Sequence, residues 1–358
     1  MNRLIIFIVL FVGALACNTQ KSKNPNYLPK ATGKPGDVII IMDSLQWKGE
    51  LGSAVRQIFR AEVPGLPQAE PMFNVIWAHP SRLKLLTQIR NLVYVFTLDK
   101  NSPGSRSLRR EFTPETLTKI KNDTSFHSYM RQDEYSLGQE VMYLFGDTEQ
   151  NLIHHLENRG QEIIEYFNTV ERERLLKNVF AMKPGVASFL RQDQGIEIHV
   201  PIGYKLADKQ DDFIWMRQIE ANRDKDIFIT WKPYVSEYQL LPDSIVAWRD
   251  NVAAKYLFED PDNPISFLVT EKEDFPVTAR QVNFNNHYSM QIRALWHTNN
   301  MTMGGPYIGY AIVDESAGKL YYIEGFAYAP GKDKREIMRE LDAILWSFRM
   351  SQDLASSK

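Results

Sequence analysis

Two kinds of hydrophobic pattern divide this chain. Before residue 184 the apolar runs are continuous: Val38-Ile39-Ile40-Ile41-Met42, bounded by Asp37 and Asp43, has no polar position, as a strand buried on both faces requires. A helix is predicted directly after it, capped by Asp43 or Ser44, with Leu51, Val55, Ile58 and Phe59 at helical spacing before Pro64 and Gly65. Strands are predicted over 73–78, 92–98 and 141–145, with a short helix over 83–89 between the first two. Residues 99–138 are polar and predict a loop with one helix over 114–121. Asp147 and Gln150 make a capping-box-like start for a long helix, along which Leu152, Leu156, Ile163, Phe167 and Val170 keep one apolar face.

Beyond Pro184-Gly185 the pattern turns to alternation. Ile196, Ile198 and Val200 point one way and Glu197 and His199 the other, which predicts a strand with one wet face. Further strands are predicted over 213–216, 227–231, 267–270, 290–296, 307–313 and 320–328, interrupted by a helix over 244–256. The last two strands are joined by a glycine-containing loop of hairpin length over 314–319. Asp333 and Glu336 then open a terminal helix whose Ile337, Met338, Leu341, Ile344, Leu345 and Phe348 share one face. The expected fold class is α+β: two packed mixed or antiparallel sheet units with helices on one face, the second ending in a hairpin and an amphipathic helix. The expected domains are an N-terminal α+β unit over 37–183 and a C-terminal α+β unit over 184–350, with a disordered tail over 351–358.

The N-terminus follows neither pattern. Arg3 precedes an apolar run over 4–12 that is too short to span the bilayer core of about 30 Å, and small residues follow, as in a cleaved secretory signal. Ala14-Leu15-Ala16-Cys17 resembles the bacterial lipobox, with alanine at the position usually held by leucine; there the cysteine is acylated and becomes the new first residue. Cys17 is the only cysteine. The expectation is a signal peptide over 1–16, lipidation at Cys17 and a disordered tether over 17–36, rich in Lys, Pro, Asn and Gly, with a reach of roughly 25 Å. Asn18 is not the aspartate associated with inner-membrane retention, so the expected address is the cell envelope, lipid-anchored to the outer membrane with the body in the periplasm.

Several stretches resemble an uncharacterised family of Bacteroidetes envelope lipoproteins, the domain of unknown function DUF4837. They are Leu66-Pro67-Gln68-Ala69-Glu70-Pro71, Pro201-Ile202-Gly203-Tyr204 with Asp212-Phe213-Ile214-Trp215, Ala294-Leu295-Trp296 with Gly304-Gly305-Pro306, and Glu324-Gly325-Phe326-Ala327-Tyr328-Ala329-Pro330 leading into Lys334-Arg335. The resembling stretches extend over nearly the whole chain after Cys17. The resemblance implies an envelope lipoprotein and carries over no activity, cofactor or catalytic residue.

Charge and composition narrow the function. The 42 Lys and Arg against 44 Asp and Glu leave no basic field for nucleic acid. Of seven histidines only His154 and His155 are close in sequence, and adjacent helical residues diverge by about 100°, so no metal site and no cofactor is expected. Ser81-Arg82-Leu83-Lys84 and Ser316-Ala317-Gly318-Lys319 match Ser-x-x-Lys, but without the Ser-Asp-Asn and Lys-Thr-Gly partners of penicillin-binding enzymes, and no catalytic residue is assigned. The candidate binding loop is Trp296, His297, Asn299, Asn300, Met301, Met303, Gly304, Gly305, Pro306 and Tyr307, where thioethers, amides and glycines join two strands. The expected function is a non-catalytic binding or assembly-accessory module, touching the membrane through its lipid and taking an envelope protein or a small molecule. The alternative is a hydrolase acting on an envelope polymer.

Overall fold

A computed structural model of the protein describes residues 28–181, 195–257, 265–351 and 353. Cys17, its leader and the boundary at Pro184-Gly185 lie outside the described residues.

The first unit runs β1 (Asp37–Met42), α1 (Ser44–Lys48), α2 (Glu50–Phe59), β2 (Asn74–Ala78), β3 (Asn91–Thr97), α3 (Pro103–Arg109), α4 (Pro114–Asn122), β4 (Ser128–Gln132), β5 (Glu140–Gly146) and α5 (Glu149–Ala181). The sheet order is β2-β1-β3-β5-β4, parallel except for β4, which pairs antiparallel with β5. The continuous apolar runs are its central strands. Val38, Ile40, Val93, Val95 and Leu144 meet α2 and α5 on one face, while Ile39, Ile41, Tyr94, Phe96, Tyr143 and Phe145 meet Leu108 of α3 and Ile120 of α4 on the other. Asp43 caps the first helix, its Oδ1 accepting from the Leu45 N–H, and Gly49 splits the expected single helix in two.

The second unit runs β6 (Lys205–Gln210), β7 (Phe213–Glu220), β8 (Arg223–Pro233), α6 (Pro242–Tyr256), β9 (Leu268–Thr270), β10 (Thr278–Phe284), β11 (His287–Thr298), β12 (Gly304–Asp314), β13 (Lys319–Tyr328) and α7 (Arg335–Leu345). Its antiparallel sheet has the order β10-β11-β12-β13-β8-β7-β6, with β9 added on β11. Ile227, Ile229, Tyr310 and Ile323 face α7, and Phe213, Phe228, Tyr322 and Ala311 face α6.

The fold is α+β with one mixed and one antiparallel sheet. The expectation of helices on one face is corrected: both sheets are covered on both faces. The physical reason is visible in β8 and β13, whose middle positions are buried at every residue rather than every second one. The stretch 196–200 keeps its alternation, with Ile196, Ile198 and Val200 buried, but among the described residues it pairs only through the single bridge Glu197 to Arg349 and forms no strand. Residues 28–36, expected as tether, pair with the first unit through the bridges Lys30 to Leu137 and Thr32 to Ile89. Two tail positions are also held: Ser351 Oγ donates to the Gly195 carbonyl, and Asp353 pairs with His287.

The two units share structure. Val63, Leu66 and Val179, all from the first, are buried in the core under α7. Glu70 reaches across to cap α7, accepting from the backbone N–H of Lys334 at 2.7 Å and of Arg335 at 2.9 Å. A buried carboxylate there answers both the orphan donors and the positive end of the helix dipole.

Candidate functional site

Tyr94-Val95-Phe96 on β3 and Tyr143-Leu144-Phe145 on β5 repeat one pattern, and the parallel register sets Tyr94 beside Tyr143 and Phe96 beside Phe145. On the other side β4 sets Tyr129 against Tyr143. The result is a row of three stacked tyrosines across three strands, with ring centroids 4.8 Å apart for Tyr94 and Tyr143 and 6.4 Å for Tyr143 and Tyr129. A phenylalanine row lies beside it. Phe145 is 4.8 Å from Phe126, and Phe112, from the α3–α4 connection, stands edge-on to Tyr143 at 5.3 Å.

Along these rows the α3–α4 side of the sheet opens into a cavity of about 270 Å³. Phe112, Phe126, Tyr129, Tyr135, Tyr143 and Phe145 form its aromatic wall, and Glu111, Thr113, Thr116, Arg131 and Glu134 supply the polar groups. Arg131 donates to both oxygens of Glu134, at 2.9 and 2.8 Å, and lies 5.5 Å over the Tyr129 ring. Burial first, and then the neighbouring Tyr135 hydroxyl, pushes the Tyr94 and Tyr143 phenols well above their usual range, so both stay protonated. Tyr129 is 45% exposed on the edge strand, within reach of solvent. Apolar ring faces with a few phenol, carboxylate and guanidinium groups suit a ligand that is itself part apolar and part hydroxylic.

In an open parallel sheet the expected crevice lies where strand order reverses, here between the carboxyl ends of β1 and β3. A cavity of about 370 Å³ does sit there, lined by Asp43, Gln46, Lys100, Ser102 and Glu149. Its groups are already engaged: Lys100 pairs with Glu149 at 2.9 Å, Gln46 donates to Thr97 Oγ1 at 2.8 Å, and Asp43 and Ser102 cap helices.

The candidate loop of the sequence is the β11–β12 hairpin. Trp296 and Tyr307 are buried in the core facing α6, and Met303 packs against the same core. His297 lies on β11, 3.6 Å from Glu271. Asn299 bonds back to Phe267 and Ile265, and Asn300 Oδ1 accepts from the Thr302 N–H and hydroxyl. Gly304, Gly305 and Pro306 begin β12, where a Cβ on Gly305 would meet the Ala327 carbonyl oxygen. Met301, in the left-handed region at φ 59°, is the loop's large exposed side chain, at 70%. The Ser-x-x-Lys serines serve local turns, Ser81 with His79 and Ser316 with Asp314. His155 stacks on His127 at 4.1 Å, whereas His154 contacts Asn158. The tyrosine row was missed by sequence reading, although its signal, Tyr-x-Phe in two strands of one sheet, is present.

Residues 185–347 match the domain of unknown function DUF4837. The second half of the chain is a DUF4837 domain. The first half matches a different domain of unknown function, DUF8532, over residues 31–180. The resemblance to DUF4837 is therefore confined to the later stretches, and Leu66 to Pro71, with the Glu70 cap, belongs to the DUF8532 half. The tyrosine pocket also lies in that half, and the β11–β12 hairpin lies in the DUF4837 half. No curated protein matches the chain. Among solved structures, the Saccharomyces cerevisiae Ran-binding protein Mog1p aligns at 9% identity with a TM-score of 0.30, covering 44% of this chain and 90% of that one. A Mog1 variant aligns equally, at 9% identity and a TM-score of 0.30, with 44% of this chain and 91% of that chain covered.

Proposed function

We propose that this protein is a lipid-anchored envelope module whose DUF8532 half binds a saccharide in the tyrosine pocket. The anchor reading rests on the apolar leader ending at Cys17. The binding reading is carried by one observation, the row of stacked tyrosines beside a paired Arg131 and Glu134. A sugar ring has an apolar C–H face that lies on an aromatic ring and a rim of hydroxyls that need donors and acceptors together. The protonated Tyr143 phenol donates, Glu111 and Glu134 accept, and Arg131 supplies a fixed fork of donors.

The test is a glycan array probed with the protein secreted from a conventional cleavable signal in place of residues 1–17. Selective capture of a family of hexose or amino-sugar oligosaccharides is the expected result; an array with no hit above a Tyr129→Ala control would contradict the reading. Two carboxylates on one pocket, Glu111 and Glu134, are also what a glycosidase needs. Release of reducing ends from a captured oligosaccharide, abolished in Glu111→Gln, would make the hydrolase reading the correct one.

A further inference from the structure

A second cavity, of about 220 Å³, lies between the halves, walled by α5, the β10–β11 hairpin and α7. Five arginines line it, Arg172, Arg280, Arg293, Arg335 and Arg339, against the carboxylates Glu165 and Asp342. Three have their donors engaged. Arg280 bonds Glu165 and Gln291, Arg335 bonds Glu336 and the Pro71 carbonyl, and Arg339 bonds Glu336 and the Met72 carbonyl.

The other two differ. Arg172 lies 3.9 Å over the Trp346 ring and donates to Thr169 Oγ1, while its Nη1 stands 3.8 Å from Asp342 Oδ2. Arg293 donates from Nε to Gln291 Oε1, and its Nη2 stands 3.9 Å from the same Asp342 oxygen. Both side chains are largely buried, at 11% and 18% exposure, and neither ion pair closes to hydrogen-bond distance. Asp342 is held instead by the Tyr310 hydroxyl, which also accepts from Trp346 Nε1. Counting Glu336, five guanidiniums face three carboxylates around a small, partly open space. Buried guanidiniums whose donors are not all taken up among the described residues, with an excess positive charge, call for an acceptor-rich anion.

We propose that this cavity is an oxyanion site, taking a phosphate or phosphomonoester group between Arg172 and Arg293, and that it is distinct from the tyrosine pocket. A tetrahedral phosphate offers enough oxygens for both forks at once and matches the residual charge. Asp342 opposes it, which makes the proposal sharp: removing that charge is expected to strengthen binding.

Calorimetric titration of detergent-solubilised full-length protein with inorganic phosphate, at constant ionic strength set by chloride, tests this directly. Saturable binding is expected, weakened at least about tenfold by Arg293→Gln and by Arg172→Lys, which keeps the charge but loses the fork, and tightened by Asp342→Asn. Glycerol phosphate and vesicles containing phosphatidic acid, offered in parallel, separate a free phosphomonoester from a lipid headgroup as the source. Absence of phosphate binding in the native protein overturns the proposal, as does binding that folded Arg172→Lys and Asp342→Asn both leave unchanged.

Discussion

At the scale of single residues, buried charge is the most demanding feature of the second half. Arg249 and Glu324 are both fully buried and joined by three contacts of 2.9 to 3.2 Å, with the Tyr322 hydroxyl donating to the same carboxylate at 2.6 Å. Glu324→Gln leaves the buried guanidinium only the longer contact to Asp250 at 3.3 Å and is expected to cost about 3 kcal/mol in urea denaturation, much of it recovered by adding Arg249→Met. His127 titrates in the other half. Burial, more than the neighbouring His155 and Arg159, holds its imidazole below the ordinary value. The unfolded chain therefore takes up a proton at a higher pH than the folded one, so stability is full above the ordinary imidazole pKa and falls as pH drops below it. Urea midpoints at about pH 7 and about pH 5.5 are expected to differ less in His127→Gln than in the native protein. Neither feature was legible in the sequence. Glu324 sits 75 residues from Arg249, and no local pattern marks a pair made by tertiary packing.

At the scale of elements, the sequence was most readable where burial is continuous. The run ending at Met42, the strands ending at Thr97 and Gly146, the long α5 and the helix α7 all follow their patterns. Exposed edge strands were not readable: β4, which carries Tyr129, and β6 have few buried positions, so neither has an apolar period to detect. Part of the candidate site was hidden for that reason, while Tyr94 and Tyr143 were in view but paired only once the register was known. The same limit applies to Leu66-Pro67-Gln68-Ala69-Glu70-Pro71. No local pattern there marks a cap, yet its Glu70 caps a helix more than two hundred and fifty residues later. Glu70→Ala is expected to lower stability by about 1–2 kcal/mol in urea denaturation, with α7 losing amide-exchange protection first.

At the scale of the whole molecule, α7 joins the halves. Ile337, Met338, Leu341, Ile344 and Leu345 are buried with Val63, Leu66 and Val179. Truncation at Gly331 is expected to abolish the cooperative melt of the second sheet while sparing much of the first, read by calorimetry and near-ultraviolet circular dichroism; an unchanged melt would contradict this packing. Intact-mass analysis of membrane-extracted protein is expected to show an acylated Cys17 as the first residue, whereas an unmodified thiol or a retained Met1 would remove the anchor from the account. The central claim is that a saccharide lies on the tyrosine row, and Tyr129 is its most accessible ring. The deciding measurement is the affinity of the best array ligand for the native protein, Tyr129→Phe and Tyr129→Ala, by calorimetric titration. Phenylalanine is expected to bind within about threefold of the native protein and alanine at least about tenfold more weakly, since the ring face carries the contact. Equal affinity in all three would show that the ligand lies elsewhere.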